Sequence, residues 1–210
     1  MNTARGGVFC LEGSWAFDGR DLTDKASVEQ QLRMLEGAGE CGPVIHRDVA
    51  TREEFEYYLR EWLKAKYRVK YPLAYLAFHG SEGTISVGDG DAGLRLDELA
   101  GLMGAKATQR IIYFGSCSTM AAPEAELRGF CKSTGAKAIV GFTKTVQWRE
   151  SAAFDVLLIP RLLEMTNMKS AFKALAREYP DLVAMLGLRM ATKAWATDQQ
   201  PAVQAMELPE

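Results

Sequence analysis

The chain of 210 residues carries 25 basic and 27 acidic side chains, a formal net charge of −2, and 48% of its residues are hydrophobic. This balance is typical of a globular protein with one main domain, and it excludes general disorder. Nucleic acids and anionic membranes both favour a basic protein face, so the charge predicts neither as a partner.

The first third of the chain predicts two strands, each followed by a helix. An apolar strand over residues 6–11 precedes a helix over 27–35. A second strand over 44–49 precedes a helix over 51–66, which opens with the capping-box pattern Thr-x-x-Glu at 51–54. Both helices have apolar residues spaced for one buried face.

The middle of the chain predicts a buried strand over 73–78, because nearly every residue there is apolar. Residues 84–87 and 94–96 flank the Gly-Asp-Gly-Asp sequence at 88–91, which predicts a small hairpin. Asp97 is the predicted N-cap of a short helix ending at 102.

The last third continues the alternation of strands and helices and then predicts three consecutive helices. Strands are predicted over 110–114 and 136–142, and helices over 123–132, 151–164, 169–179 and 181–193. Residues 1–195 are expected to form one domain and residues 196–210 a C-terminal tail. Strands that alternate with helices predict an α/β fold with a mostly parallel sheet, and active sites in such sheets lie at the carboxyl ends of the strands.

No segment has the composition of a membrane span or a secretion signal. The most apolar stretch, 152–163, is interrupted by Asp155 and Pro160 and is too short to cross a bilayer. Residues 1–7 lack the basic and then apolar order of a signal peptide. The four cysteines show no metal-binding or dense disulfide spacing, so we expect reduced thiols in the cytoplasm.

His79 and Cys117 each follow an apolar strand, and together they predict nucleophilic catalysis. Cysteine attacks an acyl carbon as a thiolate, and histidine is the usual base that activates it. The other histidine, His46, lies within an apolar run and is the weaker candidate. Gly80 permits a close approach of substrate, and its amide with that of Cys117 predicts an oxyanion hole. This chemistry requires no metal and no organic cofactor.

The order of the two residues along the chain narrows the class of enzyme. No histidine follows Cys117, whereas papain-like peptidases, α/β-hydrolases and glutaminases of the Cys-His-Glu kind all place the histidine after the nucleophile. These classes are excluded unless another chain supplies the base. A histidine that precedes the cysteine is the caspase order, in which the spacing is about 50 residues. Here the two residues are 38 apart.

This arrangement resembles the caspase-like superfamily of cysteine peptidases, and most of all its CHAT branch. In that branch one strand ends in His-Gly, as at His79-Gly80, and a later strand ends in a small residue before the catalytic cysteine, as at Ser116-Cys117. The strand after the cysteine, at 135–141, is also similar to its counterpart in this branch. So are the tryptophan, the acidic residue and the start of an alanine-rich helix at 148–154. The segments that carry the resemblance are 73–80, 94–99, 111–118, 135–141 and 148–154.

The resemblance implies a caspase-like three-layer α/β/α sandwich and a set of residues that bind substrate. The candidates for substrate binding are Ser116, Trp148, Arg149, Glu150 and Asp155. Two family features are absent. The sequence Gln-Ala-Cys-x-Gly does not occur, and Gly115 stands where some relatives carry an acid that binds a basic P1 residue. The preferred P1 residue therefore stays open.

The function implied is that of a cysteine endopeptidase acting on a specific protein or peptide. A compact chain indicates control by an activating partner, a ligand or homodimerisation, and bacterial relatives often serve in antiviral defence or regulated cell death. Two alternatives to this function remain. One is a catalytically silent caspase-like module that binds a partner, and the other is a different cysteine hydrolase or acyltransferase. For Cys117 itself, the simplest alternative to a catalytic role is that of a buried structural thiol.

Overall fold

The computed structural model describes residues 5–16, 23–88 and 93–198. Most of the predicted turn at 88–91 and most of the predicted C-terminal tail lie outside these residues. The strands are β1 Val8–Glu12, β2 Val44–Asp48, β3 Leu73–Ala77, β4 His79–Ser81, β5 Thr84–Ser86, β6 Leu94–Arg95, β7 Ile111–Phe114, β8 Ala138–Phe142 and β9 Leu188–Ala191. The helices are α1 Glu29–Gly37, α2 Arg52–Trp62, α3 Leu96–Met103, α4 Glu124–Thr134, α5 Trp148–Glu164, α6 Met168–Glu178 and α7 Pro180–Leu186.

The central sheet has the strand order β2-β1-β3-β7-β8-β9. The first five strands are parallel, and β9 pairs with β8 in the antiparallel direction. The parallel pairs are joined by helical crossovers, as this topology requires. The predicted α/β class with a mostly parallel sheet is therefore confirmed.

Helices cover both faces of the sheet, and alternate residues of each strand point to opposite layers. In β1, Phe9 and Leu11 pack with α2, α3 and α4, while Val8 and Cys10 pack with α1, α5, α6 and α7. Each face buries its own apolar cluster. The molecule is a three-layer α/β/α sandwich, as expected.

The capping box at the start of α2 is also confirmed. The Thr51 hydroxyl accepts the Glu54 amide at 3.3 Å, and the Glu54 carboxylate accepts the Thr51 amide at 3.3 Å. The helix ends earlier than predicted, at Trp62, and a 3₁₀ turn over Ala65–Tyr67 follows it. The Trp62 indole N–H donates to the carbonyl oxygen of Tyr71 at 3.0 Å and helps to fix this turn.

The helix predicted over 181–193 is present only as far as Leu186, and the rest of the prediction is wrong. Gly187 has φ of 65°, a left-handed conformation that ends α7, and the chain then enters β9. All four residues of β9 are buried against its neighbours. The guanidinium of Arg189 donates to the carbonyl oxygens of Met120 and Ala122 at 2.8 Å, which satisfies this buried charge. Ala196 and Thr197, predicted as tail, are buried beside β9.

A second, smaller sheet carries the chain past the end of β3. It has the order β4-β5-β6 and is antiparallel. The hairpin of β5 and β6 is predicted correctly, but β4, which begins at His79, is not. Asp97 is not the N-cap of α3, because the helix begins at Leu96 and its N-cap is Arg95. The Glu98 carboxylate accepts the Arg95 amide at 2.9 Å.

Candidate active site

His79 and Cys117 follow neighbouring strands at the carboxyl edge of the central sheet. The register of β3 and β7 pairs Leu76 with Phe114, and the same register continued beyond this pair relates His79 to Cys117. This is the edge at which open α/β sheets hold their ligands. The fold therefore brings together the two strand ends that carry the predicted base and nucleophile.

Gly80 makes the close contact between these strand ends. A Cβ atom at this position would lie 2.9 Å from the carbonyl oxygen of Cys117 and 2.6 Å from the hydroxyl of Thr119. Real side chains do not tolerate such contacts. Glycine is therefore required here because the chain after His79 runs directly against the loop that carries Cys117.

Thr119, which sequence analysis did not select, ties the two loops together. Its buried hydroxyl donates to the carbonyl oxygen of Thr84 at 2.9 Å and accepts from the Ser116 hydroxyl at 2.7 Å. Its carbonyl oxygen accepts the amide of Gly83 at 3.2 Å. Thr84 and Gly83 belong to the hairpin that begins at His79. No local pattern predicts these bonds, because their partners are distant in sequence.

The backbone turns sharply immediately after Cys117. Ser118 has φ of 57°, a left-handed conformation that is uncommon for residues other than glycine. This turn leaves the Cys117 thiol half-buried and directed at the segment before α5. The sulfur accepts the amide of Val146 at 3.4 Å and lies 3.6 Å from the carbonyl oxygen of the same residue.

The other three cysteines differ from Cys117 because they are buried. Burial raises the pKa of Cys41 to about 11 and that of Cys131 to about 12, and it raises the pKa of Cys10 well above the usual range. These thiols are protonated at neutral pH and are shielded from reagents. All four cysteines are free, as predicted.

His79 is held by the segment that follows β1. Its Nε2 lies 3.3 Å from the carbonyl oxygen of Trp15, and the two rings meet edge to face at 5.6 Å between centroids. A carbonyl oxygen only accepts hydrogen bonds, so Nε2 is the donor. In the neutral ring this leaves Nδ1 with a free lone pair.

His46 is buried, and its side chain is paired with a buried carboxylate. Its Nε2 lies 2.6 Å from the carboxylate of Glu12. Burial acts to lower the pKa of His46, but the hydrogen bond and the negative charge of Glu12 outweigh it and raise the pKa. This placement agrees with the weaker catalytic candidacy of His46.

One group among the described residues has the spacing of metal ligands. Glu12, His46 and Asp48 each offer a ligand atom, and these atoms lie within 4.8 Å of one another. The Glu12 carboxylate already accepts four donors, among them His46 Nε2 at 2.6 Å. A carboxylate offers about four lone-pair positions, so a cation would have to displace one of these donors.

The predicted substrate-binding residues are divided by the fold. Trp148 begins α5 close after Val146 and is 39% exposed, and Arg149 is also exposed. Glu150 is half-buried, and its Oε2 has no hydrogen-bond partner within residues 5–16, 23–88 and 93–198. These three follow the segment that contacts Cys117. Ser116 is buried and its hydroxyl bonds to Thr119, so its side chain does not line an open cleft.

Asp155 requires a correction. Its carboxylate is fully buried between the sheet and α5, where it accepts the hydroxyls of Tyr75 and Tyr113 at 2.6 Å and the amide of Gln31 at 3.3 Å. A substrate cannot reach it in the folded chain. The substrate-binding role predicted for Asp155 is therefore replaced by a structural one, as the acceptor at the centre of a buried polar network.

This burial makes stability depend on pH. Desolvation outweighs the three hydrogen bonds and raises the pKa of Asp155 to about 6. In the unfolded chain the value is about 3.9. The folded state therefore binds the proton more tightly, and this stabilisation is complete below about pH 4 and lost as the pH rises through about 6.

Asp155→Asn is expected to remove this dependence. The difference between the two pKa values corresponds to about 3 kcal/mol. Wild-type protein should therefore lose about 2 kcal/mol more unfolding free energy between pH 4 and pH 7 than the variant, because the unfolded aspartate is already partly ionised at pH 4. Urea denaturation at the two pH values measures this difference. Equal pH slopes for the two proteins would show that Asp155 does not titrate in this range.

Gly115→Ala is expected to destabilise the same network. A Cβ at Gly115 would lie 2.1 Å from the ring of Tyr75, which is held in place by its bond to Asp155. Overpacking of this kind costs about 1–3 kcal/mol in unfolding free energy. The matched control is Gly129→Ala on the exposed face of α4, where nothing lies within 4 Å and alanine should add up to about 1 kcal/mol. Equal stability of the two variants would contradict the expected clash.

Comparison with known proteins gives a family and no activity. A family model described as a family of unknown function, DUF6642, matches residues 6–191. No curated protein matches the chain. None of the helices in the described part of the chain is long and apolar enough to cross a bilayer.

Proposed function

The chain belongs to DUF6642, a family of unknown function, and from the arrangement of its own residues we propose that it is a caspase-like cysteine endopeptidase. Cys117 is the nucleophile and His79 is the base. The observation that carries this proposal is the contact at Gly80, which holds the chain after His79 against the loop of the one cysteine that is not buried.

In the first step, Nδ1 of His79 takes the thiol proton, and the sulfur of Cys117 attacks the carbonyl carbon of the scissile peptide bond. The bond from His79 Nε2 to the Trp15 carbonyl oxygen supports this role, because it leaves Nδ1 free and stabilises the imidazolium that forms. The amide of Val146 supports the negative charge on the sulfur.

The negative charge that develops on the substrate oxygen is accepted by backbone amides. Within the described part of the chain, the amide of Cys117 has no hydrogen-bond acceptor, so it is available for this purpose. The amide of Gly80 lies on the facing strand end. His79 then gives its proton to the leaving amine, and water attacks the thioester with His79 again as the base.

The caspase-like assignment is supported by the chain order of histidine and cysteine and by the strands that carry them. Both residues follow adjacent parallel strands of a three-layer sandwich. The four free thiols fit a reducing cytoplasm, which we propose as the location. The substrate is a protein or peptide, and Trp148 and Glu150 are the side chains best placed to select it.

The test is digestion of a peptide library with varied P1 residues, analysed by mass spectrometry. We expect wild-type protein to cut a restricted set of peptides and Cys117→Ala to cut none. Acyl transfer to an added amine without net hydrolysis would favour an acyltransferase instead. Complete absence of cleavage, with and without a lysate that supplies an activating partner, would contradict the endopeptidase proposal and favour the silent binding module.

A further inference from the structure

Glu12 is a buried carboxylate at the carboxyl end of β1, and it accepts four hydrogen bonds. Only 2% of the residue is exposed. Its donors are the indole Nε1 of Trp15, the hydroxyl of Ser27 at 2.7 Å, the amide of Val28 at 2.7 Å and Nε2 of His46 at 2.6 Å. A buried carboxylate with this many donors is a rigid acceptor, since moving it would leave several donors unpaired.

Trp15 connects this carboxylate to His79. Its indole N–H donates to Glu12, while its carbonyl oxygen accepts from His79 Nε2 at 3.3 Å and its ring meets the imidazole edge to face. The backbone before Trp15 is fixed against β3, because the Gly13 amide donates to the carbonyl oxygen of Ala77 at 2.9 Å. Trp15 is thus the residue through which the extension of β1 touches the candidate base.

Trp15 packs against the apolar cluster that contains Val8 and Cys10, but another side of the residue borders open space. A cavity of about 250 Å³ lies beside it, lined among others by Gly13, Ser14, Trp15 and Asp48. A side chain that borders open space can change rotamer at little cost, unlike one in a close-packed core. The hydrogen bond to Glu12 is the directional contact that adds to this packing and orients the indole.

We propose that Glu12 is a positioning residue for His79 and acts through Trp15. This inference rests on the proposed peptidase function. Glu12 does not touch the substrate or the sulfur. It fixes the indole, the indole fixes the carbonyl oxygen, and the carbonyl oxygen holds the imidazole with Nδ1 directed away from Trp15 and free to take the thiol proton.

The decisive variant is Trp15→Phe. Phenylalanine keeps an aromatic ring beside His79 but lacks the N–H that reaches Glu12. Substitution of Glu12 itself is less informative, because Glu12→Gln also takes a partner from buried His46, and a loss of activity there would not separate positioning from folding. Trp195→Phe is the matched control, since Trp195 packs on Phe172 away from both loops.

We expect Trp15→Phe to lower kcat about 10–100-fold with KM nearly unchanged, because a small misplacement of a catalytic group has effects of this size. The thermal unfolding midpoint should match that of Trp195→Phe. Trp195→Phe should keep the wild-type kcat. A kcat for Trp15→Phe equal to that of Trp195→Phe would overturn the inference.

A second readout does not depend on activity. The chain has two histidines, so proton NMR shows at most two imidazole ring environments. The hydrogen-bonded Nε2–H signal of His79, assigned with His79→Gln, should be present in wild-type protein and lost in Trp15→Phe. Its persistence would overturn the inference even if the wild-type protein cuts no peptide. If Trp15→Phe loses this NMR signal but no thiol-reactive peptidyl probe ever labels Cys117 in the wild-type protein, the inference on Glu12 stands and the peptidase proposal alone is contradicted.

Discussion

Cys117→Ala is expected to abolish peptide cleavage while the protein stays folded. The Cys117 sulfur is the protein atom that forms the thioester with the substrate in the proposed mechanism. Its removal therefore eliminates the acyl-enzyme route. Loss of a catalytic nucleophile typically lowers kcat by about 10⁴-fold or more. The residue is half-buried at a loop, and its sulfur makes two long contacts with Val146, so the methyl group of alanine should fit without disturbing the sheet.

The control for this prediction is Cys131→Ala. The Cys131 thiol is buried near the C-terminal end of α4 and points to the carbonyl oxygen of Ala191 at 3.5 Å. Ala191 pairs with Ile139 near the start of β8, so this thiol lies toward the edge of the sheet opposite to that of Cys117. This variant should lose stability and keep kcat. Cleavage rates are measured on the best peptide from the library, with circular dichroism to verify folding. If Cys117→Ala retained more than a few per cent of wild-type kcat, another residue would have to be the nucleophile.

His79→Ala is expected to lower kcat about 10²–10⁴-fold, which is the usual contribution of a general base. The cysteine remains, so a slow reaction should persist. The measurement is kcat of both proteins on the same peptide.

Added imidazole separates loss of the base from loss of structure. The alanine variant leaves a space beside Trp15 in which free imidazole can bind and take the thiol proton. We expect partial rescue of His79→Ala and no effect of imidazole on Cys117→Ala. A His79→Ala protein with wild-type kcat would show that the histidine is only structural.

The apolar strands and their order relative to the helices were readable from the sequence, because strands buried on both faces are continuous hydrophobic runs. That reading also placed His79 and Cys117 at strand ends. It failed at β9, where a short buried edge strand follows a glycine and carries a charged residue, Arg189, whose partners are carbonyl oxygens of a distant loop. Local periodicity contains no information on those partners.

The surroundings of the site were less predictable than its two central residues. Asp155 resembled an exposed acid after Trp148, but its donors Tyr75 and Tyr113 come from strands distant in sequence, and only the packing of α5 on the sheet brings them to it. Trp15 contacts His79 through its carbonyl oxygen and its ring, and Thr119 joins the two loops through its hydroxyl and its carbonyl oxygen. Their partners His79, Thr84 and Gly83 are distant in sequence, so no local residue pattern marks these contacts.

The most direct test of the central claim is the site of covalent labelling by a set of peptidyl acyloxymethyl ketones that differ in the P1 residue. The labelled protein is digested, and mass spectrometry assigns the modified cysteine. We predict one adduct per chain, on Cys117, with a rate that depends on the peptide and falls in His79→Ala. Buried Cys10, Cys41 and Cys131 serve as internal controls. No adduct on Cys117, or labelling of Cys117 at the same rate by every probe and in His79→Ala, would contradict the account.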